Sequence, residues 1–422
     1  MPRTWWGLEQ KVWMGLFLFV ATGLLAWAKD DAPEKKAAND QRGQVLALNN
    51  LTGADAIRGT MKELLANAEG TKKLLAVAVG ISKEKPMPLN RNATILLANV
   101  AEKLKDVETS ITFYRLSAQL SKKLLSQRGM AEAYVGLIQV LEDNKRFNES
   151  EKVCKEFLDL EGEENESVER MKPLVMRSMI LAIAKQGAVD RALGMVDNLI
   201  KSDPRNWLHS ALKAQVLREA DKLGEASKVF LDVIDRIQKD PRLEKEDKDE
   251  YTDRYRYFLT GIFIDNGEVE KAVEQLKLLL TREPNNPTYN NDLGYIWADH
   301  GMNLAEAEKL IRKAIEEERK LKKENKIESD QDNAAYLDSL GWVLFKQGKL
   351  KEAREQLLLA TGQREGQNIE IFDHLADIQM ALGEKAEAIA TWKKALEQVG
   401  STKRDQKKKT EVEKKLKMAG AN

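Results

Sequence analysis

Three histidines, His209, His300 and His374, and one cysteine, Cys154, are the side chains of this 422-residue chain best suited to proton transfer, metal ligation or nucleophilic attack. His374 stands three residues before Asp377 and His300 follows Asp299, so each imidazole has a carboxylate near it in sequence. Single histidines on helices are nevertheless usually surface or lining residues. The chain offers no glycine loop that could cradle a phosphate, no histidine pair at metal-ligand spacing and no nucleophile beside a recognisable base. It therefore reads as non-enzymatic, with no catalytic residue, cofactor or metal. Cys154 falls on an apolar helix position and is expected to be a buried small hydrophobe. A lone cysteine excludes an intramolecular disulfide.

What remains is binding chemistry, and the charge balance narrows it. Sixty-eight Lys and Arg stand against 68 Asp and Glu, so the chain has no broad basic field to attract nucleic acid. With 42% hydrophobic and 32% charged residues it has an ordinary composition enriched in charge, and the zero net charge removes any case for a disordered polyacidic chain. Its partners are expected to be proteins or peptides.

The N-terminus carries an address. Arg3 and Lys11 precede an uncharged stretch from Val12 to Ala28, which closes on Ala26-Trp27-Ala28, the small-x-small pattern of a signal peptidase site. The stretch is a little shorter than the roughly 20 residues that span a bilayer. Residues 1–28 are read as a signal peptide cut after Ala28, or else as an uncut anchor with Trp5, Trp6, Trp13 and Trp27 at the membrane interfaces. In the uncut case residues 12–28 also make a membrane contact. Either reading puts the body outside the cytoplasm, periplasmic or otherwise extracytoplasmic, free or held at an inner membrane. Residues 29–53 are read as a polar linker and 54–90 as a helical N-terminal cap.

From residue 91 onward short words recur. Leu340-Gly341, Gly348, Ala353, Leu357 and Ala360 return as Leu375-Ala376, Gly383, Ala388, Trp392 and Ala395, offset by 35 residues. Leu293-Gly294, Gly301, Ala307, Ile311 and Ala314 keep the order, as do Leu259, Phe263, Gly267, Ala272, Leu276 and Pro284. A small residue at Gly294, Gly341 or Ala376 lets two helices approach closely. Gly301, Gly348 and Gly383 sit where the first helix must reverse. Alanine, then a large apolar residue four positions on, makes the packed face of the second helix. Pro204 and Pro284 stop that helix, because proline has no N–H to donate.

These words resemble the tetratricopeptide repeat (TPR), a 34-residue helix-turn-helix unit. The resemblance implies an all-α helix-turn-helix solenoid, a right-handed superhelix, behind an N-terminal signal or anchor helix. About eight units are expected over 91–402, starting near 91, 131, 173, 207, 253, 287, 334 and 369, the first four more degenerate than the rest. Charged inserts at 241–252 and 322–333, and shorter ones near 125–130 and 165–172, are expected to lengthen a second helix or its following loop. Residues 403–422 are read as a basic capping helix and tail that shield the open end of the stack.

In a TPR array the first helices line the concave face, so outward positions four residues apart form the natural groove for a partner. The residues placed there are Tyr257, Asn291, Tyr295, Asp338, Trp342, Asp373 and Asp377. TPR domains that clamp a terminal carboxylate use Lys, Arg and Asn at such positions; aromatics and carboxylates dominate here, so this chain departs from that pattern. A basic or neutral polar segment, docked as a strand or helix against Tyr295 and Trp342, suits the strip better. The functional expectation is a non-enzymatic scaffold for protein–protein interactions in a bacterial cell envelope. The alternative is a membrane-anchored factor for envelope assembly or processing, and residues 29–90 look too short and plain to hold an enzyme.

Overall fold

A computed structural model describes residues 33–160, 166–325, 331–400 and 403–420. The signal or anchor segment expected over 1–28 lies outside them. The described residues are all-helical, and none of their helices is long and apolar enough to cross a membrane. They divide into two compact units, one ending at Val229 and one starting at Phe230.

The first unit opens with α1 (Pro33–Ala47), α2 (Ala54–Ala66) and α3 (Ala68–Ile81). The stretch read as a polar linker is thus largely helical. Its physical reason is the apolar end of α1: Val45 and the following Leu48 are buried against the same core as Leu74, Leu75 and Ala78 of α3. Arg42 also donates to Glu84 just beyond α3. Helix pairs follow, α4 (Arg91–Lys103) with α5 (Val107–Lys123), α6 (Gln127–Asp143) with α7 (Phe147–Leu158), and α8 (Glu166–Lys185) with α9 (Val189–Ser202). Next come α10 (Trp207–Glu219) and α11 (Leu223–Lys239), the latter spanning the division between the units.

The second unit continues with α12 (Lys245–Asp265) and α13 (Val269–Arg282), α14 (Pro287–Asp299) and α15 (Leu304–Glu324), α16 (Ala334–Lys346) and α17 (Leu350–Thr361), and α18 (Ile369–Ala381) and α19 (Lys385–Glu397). A last helix, α20 (Lys403–Met418), packs on α18 and α19.

Three first helices begin ahead of the sequence register. The residues read as inserts before 131, 173 and 253 supply the opening turns of α6, α8 and α12, not a longer second helix. In α8 this places Pro173 inside the helix, where the added turns earn their place by burying Val168 in the core. Of the inserts, the one at 322–333 behaves as expected where it is described, its first residues carrying the second helix α15 on to Glu324.

Local chemistry starts the helices. An asparagine caps α4, α10, α14, α16 and α18: the side chains of Asn90, Asn206, Asn286, Asn333 and Asn368 each accept a hydrogen bond from an amide two or three residues on. Each satisfies a donor that the first turn would otherwise leave open. Gly348 reverses the chain between α16 and α17 at φ +79°, the left-handed region that L side chains seldom enter. Gly341 acts by size, since a Cβ there would lie 1.7 Å from Leu357 Cδ2 and 3.1 Å from the Ala353 carbonyl oxygen. The absence of a side chain is what lets α16 rest on α17. Ala353, Leu357 and Ala360 of α17, like Ala388, Trp392 and Ala395 of α19, are buried.

Candidate functional site

The first helices α12, α14, α16 and α18 carry the aromatic and acidic strip picked out from the sequence, and each of its members is bonded to a side chain outside the strip. The Tyr257 hydroxyl donates to Asp292 Oδ2 at 2.8 Å, from α12 to the next first helix, α14. Beside them Asn291 is buried and its amide donates to Asp292 Oδ1 at 3.3 Å. Burial pushes the Asp292 carboxyl up to about 7, against the hydrogen bonds from Tyr257 and Asn291 that favour its charge. At the edge of this cluster burial also pushes Asp253 up to about 6, although Arg282 faces it at 3.4 Å.

One repeat further on, Asp338 Oδ1 pairs with His374 Nδ1 at 2.8 Å, linking α16 to α18, and both side chains are buried. Burial alone would lower the histidine pKa; the Asp338 carboxylate outweighs it and the pKa is raised. Trp342 stacks on the imidazole with ring centroids 4.0 Å apart and an interplanar angle of 15°. Its indole N–H donates to Asp299 Oδ1 at 3.1 Å, and only 8% of the residue is exposed. Tyr295, half-buried, reaches further: its hydroxyl donates to Glu370 Oε1 at 3.2 Å, from α14 to α18 past the whole intervening repeat.

The acidic end of the strip is occupied by the chain's own last helix. Lys415 Nζ of α20 donates to Asp373 Oδ1 and Oδ2 at 2.7 and 2.9 Å and to Asp377 Oδ2 at 2.7 Å. Lys408 Nζ adds a contact to Asp373 Oδ2 at 3.3 Å, and Trp392 Nε1 donates to Asp373 Oδ1 at 3.0 Å. Below the lysines, Val412, Leu416 and Ala419 pack against Ile369, Phe372, Ala376 and Trp392. Burial together with the neighbouring Asp373 charge raises the Asp377 pKa, which Lys415 opposes. The arrangement is that of a carboxylate cradle holding a lysine-bearing amphipathic helix.

All seven predicted residues therefore lie on first helices, but they belong to two clusters, Tyr257 with Asn291 and Tyr295 to Asp377 with α20. The sequence reading missed Asp292, Asp299, Glu370, His374, Lys408 and Lys415. Repeat spacing could have found some of them: Tyr257 and Asp292 are 35 residues apart and Asp338 and His374 are 36, so matching positions of successive first helices are neighbours. Pairs about one repeat apart also occur in the first unit, where Arg177 donates to Gln215 Oε1 at 2.9 Å, 38 residues on, and Arg91 pairs with Glu132, 41 residues on.

Nothing in these clusters resembles a reaction centre. His374 is sealed beneath Trp342, His300 is held by the Ile296 carbonyl at 2.9 Å, and His209 lies 3.4 Å from the Asn206 amide. Burial pushes the Cys154 thiol up to about 12. Among the described residues no three His, Cys, Asp or Glu side chains converge to hold a metal ion.

No protein-family model matches the chain. A TPR repeat-containing protein of Pseudomonas aeruginosa is 30% identical over 176 residues, 42% of this chain and 26% of that protein, so the match spans about a quarter of the relative's length. Among solved structures, a tetratricopeptide repeat protein from Parabacteroides merdae is similar with a TM-score of 0.46 and 14% identity, covering 68% of this chain and 98% of that one. A thermophilic TPR protein of Thermus thermophilus is similar with a TM-score of 0.36 and 18% identity, covering 50% and 98%. The paired helices, their glycine turns and small contact residues resemble the tetratricopeptide repeat, and the curated relative similar to part of this chain is a TPR repeat-containing protein.

Proposed function

We propose that this protein is a non-enzymatic scaffold that works outside the cytoplasm, in a bacterial cell envelope, and grips basic or neutral polar segments of partner proteins along its first helices. A TPR fold is a protein-interaction scaffold, which is the general part of this reading. The specific part rests on one observation: the Lys415 ammonium seated between Asp373 and Asp377, above a packed apolar seam. That contact is a working example, within one chain, of the helix the strip accepts. Partners with lysine on one face and aliphatic residues beside it match the same chemistry. Residues 1–28 support the location, through the uncharged stretch and Ala26-Trp27-Ala28. The four tryptophans around that stretch favour a second form of the reading, an envelope assembly or processing factor held at the inner membrane.

The test is a photo-crosslinking amino acid in place of Tyr295, which is half-buried at the strip, introduced in the native host. The expected products join this position to lysine-bearing segments of other envelope proteins. Products confined to the chain itself would overturn the groove reading.

A further inference from the structure

Helices α4 to α7 are joined by three short turns of one design. In each, the middle residue takes a left-handed conformation, Lys105 at φ +62°, Leu125 at +51° and Lys145 at +59°. In each, the next amide closes back on a carbonyl five residues earlier, Asp106 to Ala101 at 2.9 Å, Ser126 to Ser121 at 2.8 Å and Arg146 to Leu141 at 2.8 Å. Elsewhere among the described residues the left-handed positions are filled by glycine, Asp221 or Asn303. Leu125 is the one apolar side chain in that set, although the conformation disfavours it.

Packing does not account for it. Leu125 is 84% exposed and Leu124 is 66% exposed, whereas Leu104, at the place in its turn that matches Leu124, packs against the core. Two adjacent leucines thus project into solvent from a turn whose backbone would be better served by Asn or Gly. Their sequence neighbours are basic. Lys122, Lys123 and Arg128 are exposed on either side, and no acidic residue lies between Gln119 and Ala131. The nearest carboxylate in sequence, Glu132, is engaged by Arg91.

We propose that the α5–α6 turn docks on the surface of an anionic phospholipid bilayer, with Leu124 and Leu125 in the interface and Lys122, Lys123 and Arg128 on the lipid phosphates. Apolar side chains at the tip and cations flanking them are the two components of interfacial binding, the first supplying buried area and the second attraction to negative head groups. Long lysine and arginine side chains keep their charge at the head-group level while their methylene stems lie along the apolar layer. The site shares no residue with the first-helix strip or with residues 12–28, so it stands or falls independently of the scaffold reading.

A local probe tests it in the full chain. Cys154 is buried and its thiol is raised to about 12, so Leu125→Cys can be labelled selectively with an environment-sensitive fluorophore. With vesicles containing phosphatidylglycerol the emission should shift to the blue and be quenched by nitroxides in the acyl layer. Lys122→Glu with Lys123→Glu should abolish the shift, and a fluorophore at the exposed Leu359, introduced as Leu359→Cys, should stay unchanged. Attachment of the chain through its N-terminus without a shift at position 125 would overturn the proposal, and so would an equal shift with phosphatidylcholine alone. Leu125→Asn, a residue the left-handed turn accepts, supplies a folded control and should release the turn from the vesicles.

Discussion

The hydroxyl of Tyr295 on α14 bonds to the carboxylate of Glu370 on α18 across an entire repeat, 75 residues away. With Trp342 stacked on His374 and Asp338 paired to the same imidazole, it ties three successive first helices into one polar cluster. Strength in this part of the array therefore comes from first-helix side chains as well as from the apolar seam of the second helices.

Tyr295→Phe should lower stability to urea by about 0.5–1.5 kcal/mol, the usual net worth of a hydrogen bond. Glu370→Gln in the Tyr295→Phe background should add less than it does alone, because the two groups share one interaction. Full additivity in that double-mutant cycle would show that the bond does not form in solution.

Lys415→Ala should loosen α20 selectively. It removes the cation seated on buried Asp373, a charge-assisted contact of roughly 1.5–3 kcal/mol. Hydrogen exchange should rise over 403–418 and stay unchanged in α16 and α17. Uniform loss of protection across the second unit would contradict a local cap.

Stability should fall between about pH 4 and pH 7 through Asp292. Its pKa is raised to about 7 in the fold, so the folded state keeps a proton that the unfolded chain releases near 4. The folded state then binds more protons over that window, and its advantage is complete below the unfolded pKa and gone above the folded one. Asp292→Asn keeps an acceptor for Tyr257 and cannot ionise. Its unfolding free energy should be flatter over this window by an amount on the order of a few kcal/mol, measured by urea titration at several pH values.

Two glycines should respond to substitution for opposite reasons. Gly341→Ala puts a Cβ against Leu357 and the Ala353 carbonyl and should cost about 1–3 kcal/mol by overpacking. Gly348→Ala meets no atom within 4 Å but must hold φ +79°, costing roughly 1–2 kcal/mol. Gly348→Asn should recover part of the second loss, and Gly341→Asn none of the first. Thermal melts of the four variants separate size from conformation.

Mass spectrometry of the protein from its native host should find Lys29 as the first residue, as cleavage after Ala28 requires. An N-terminus at Met1 would favour the anchored form instead.

The sequence by itself determined the units that make this protein. Gly301, Gly348 and Gly383 at the turns, Gly294 and Gly341 at the helix crossings, and the Ala-x3-apolar seams act within one helix pair, so their spacing reports structure directly. The asparagine caps before α14, α16 and α18 act just as locally, although the reading of the sequence did not single them out. Tertiary structure alone decided what the first-helix residues do. Asp338, Trp342 and Asp373 look alike on a helical wheel whether they face a partner or a neighbour; only the approach of helices 35 to 75 residues apart turns Asp338 to His374 and Tyr295 to Glu370. The early starts of α8 and α12 were hidden for the same reason, since the burial of Val168 and of Thr252, whose hydroxyl accepts from Gln238 of α11, is contributed by other helices. Contacts closed within one helix pair leave a regular trace in the chain, whereas contacts between repeats depend on side-chain direction and on the packing of neighbours.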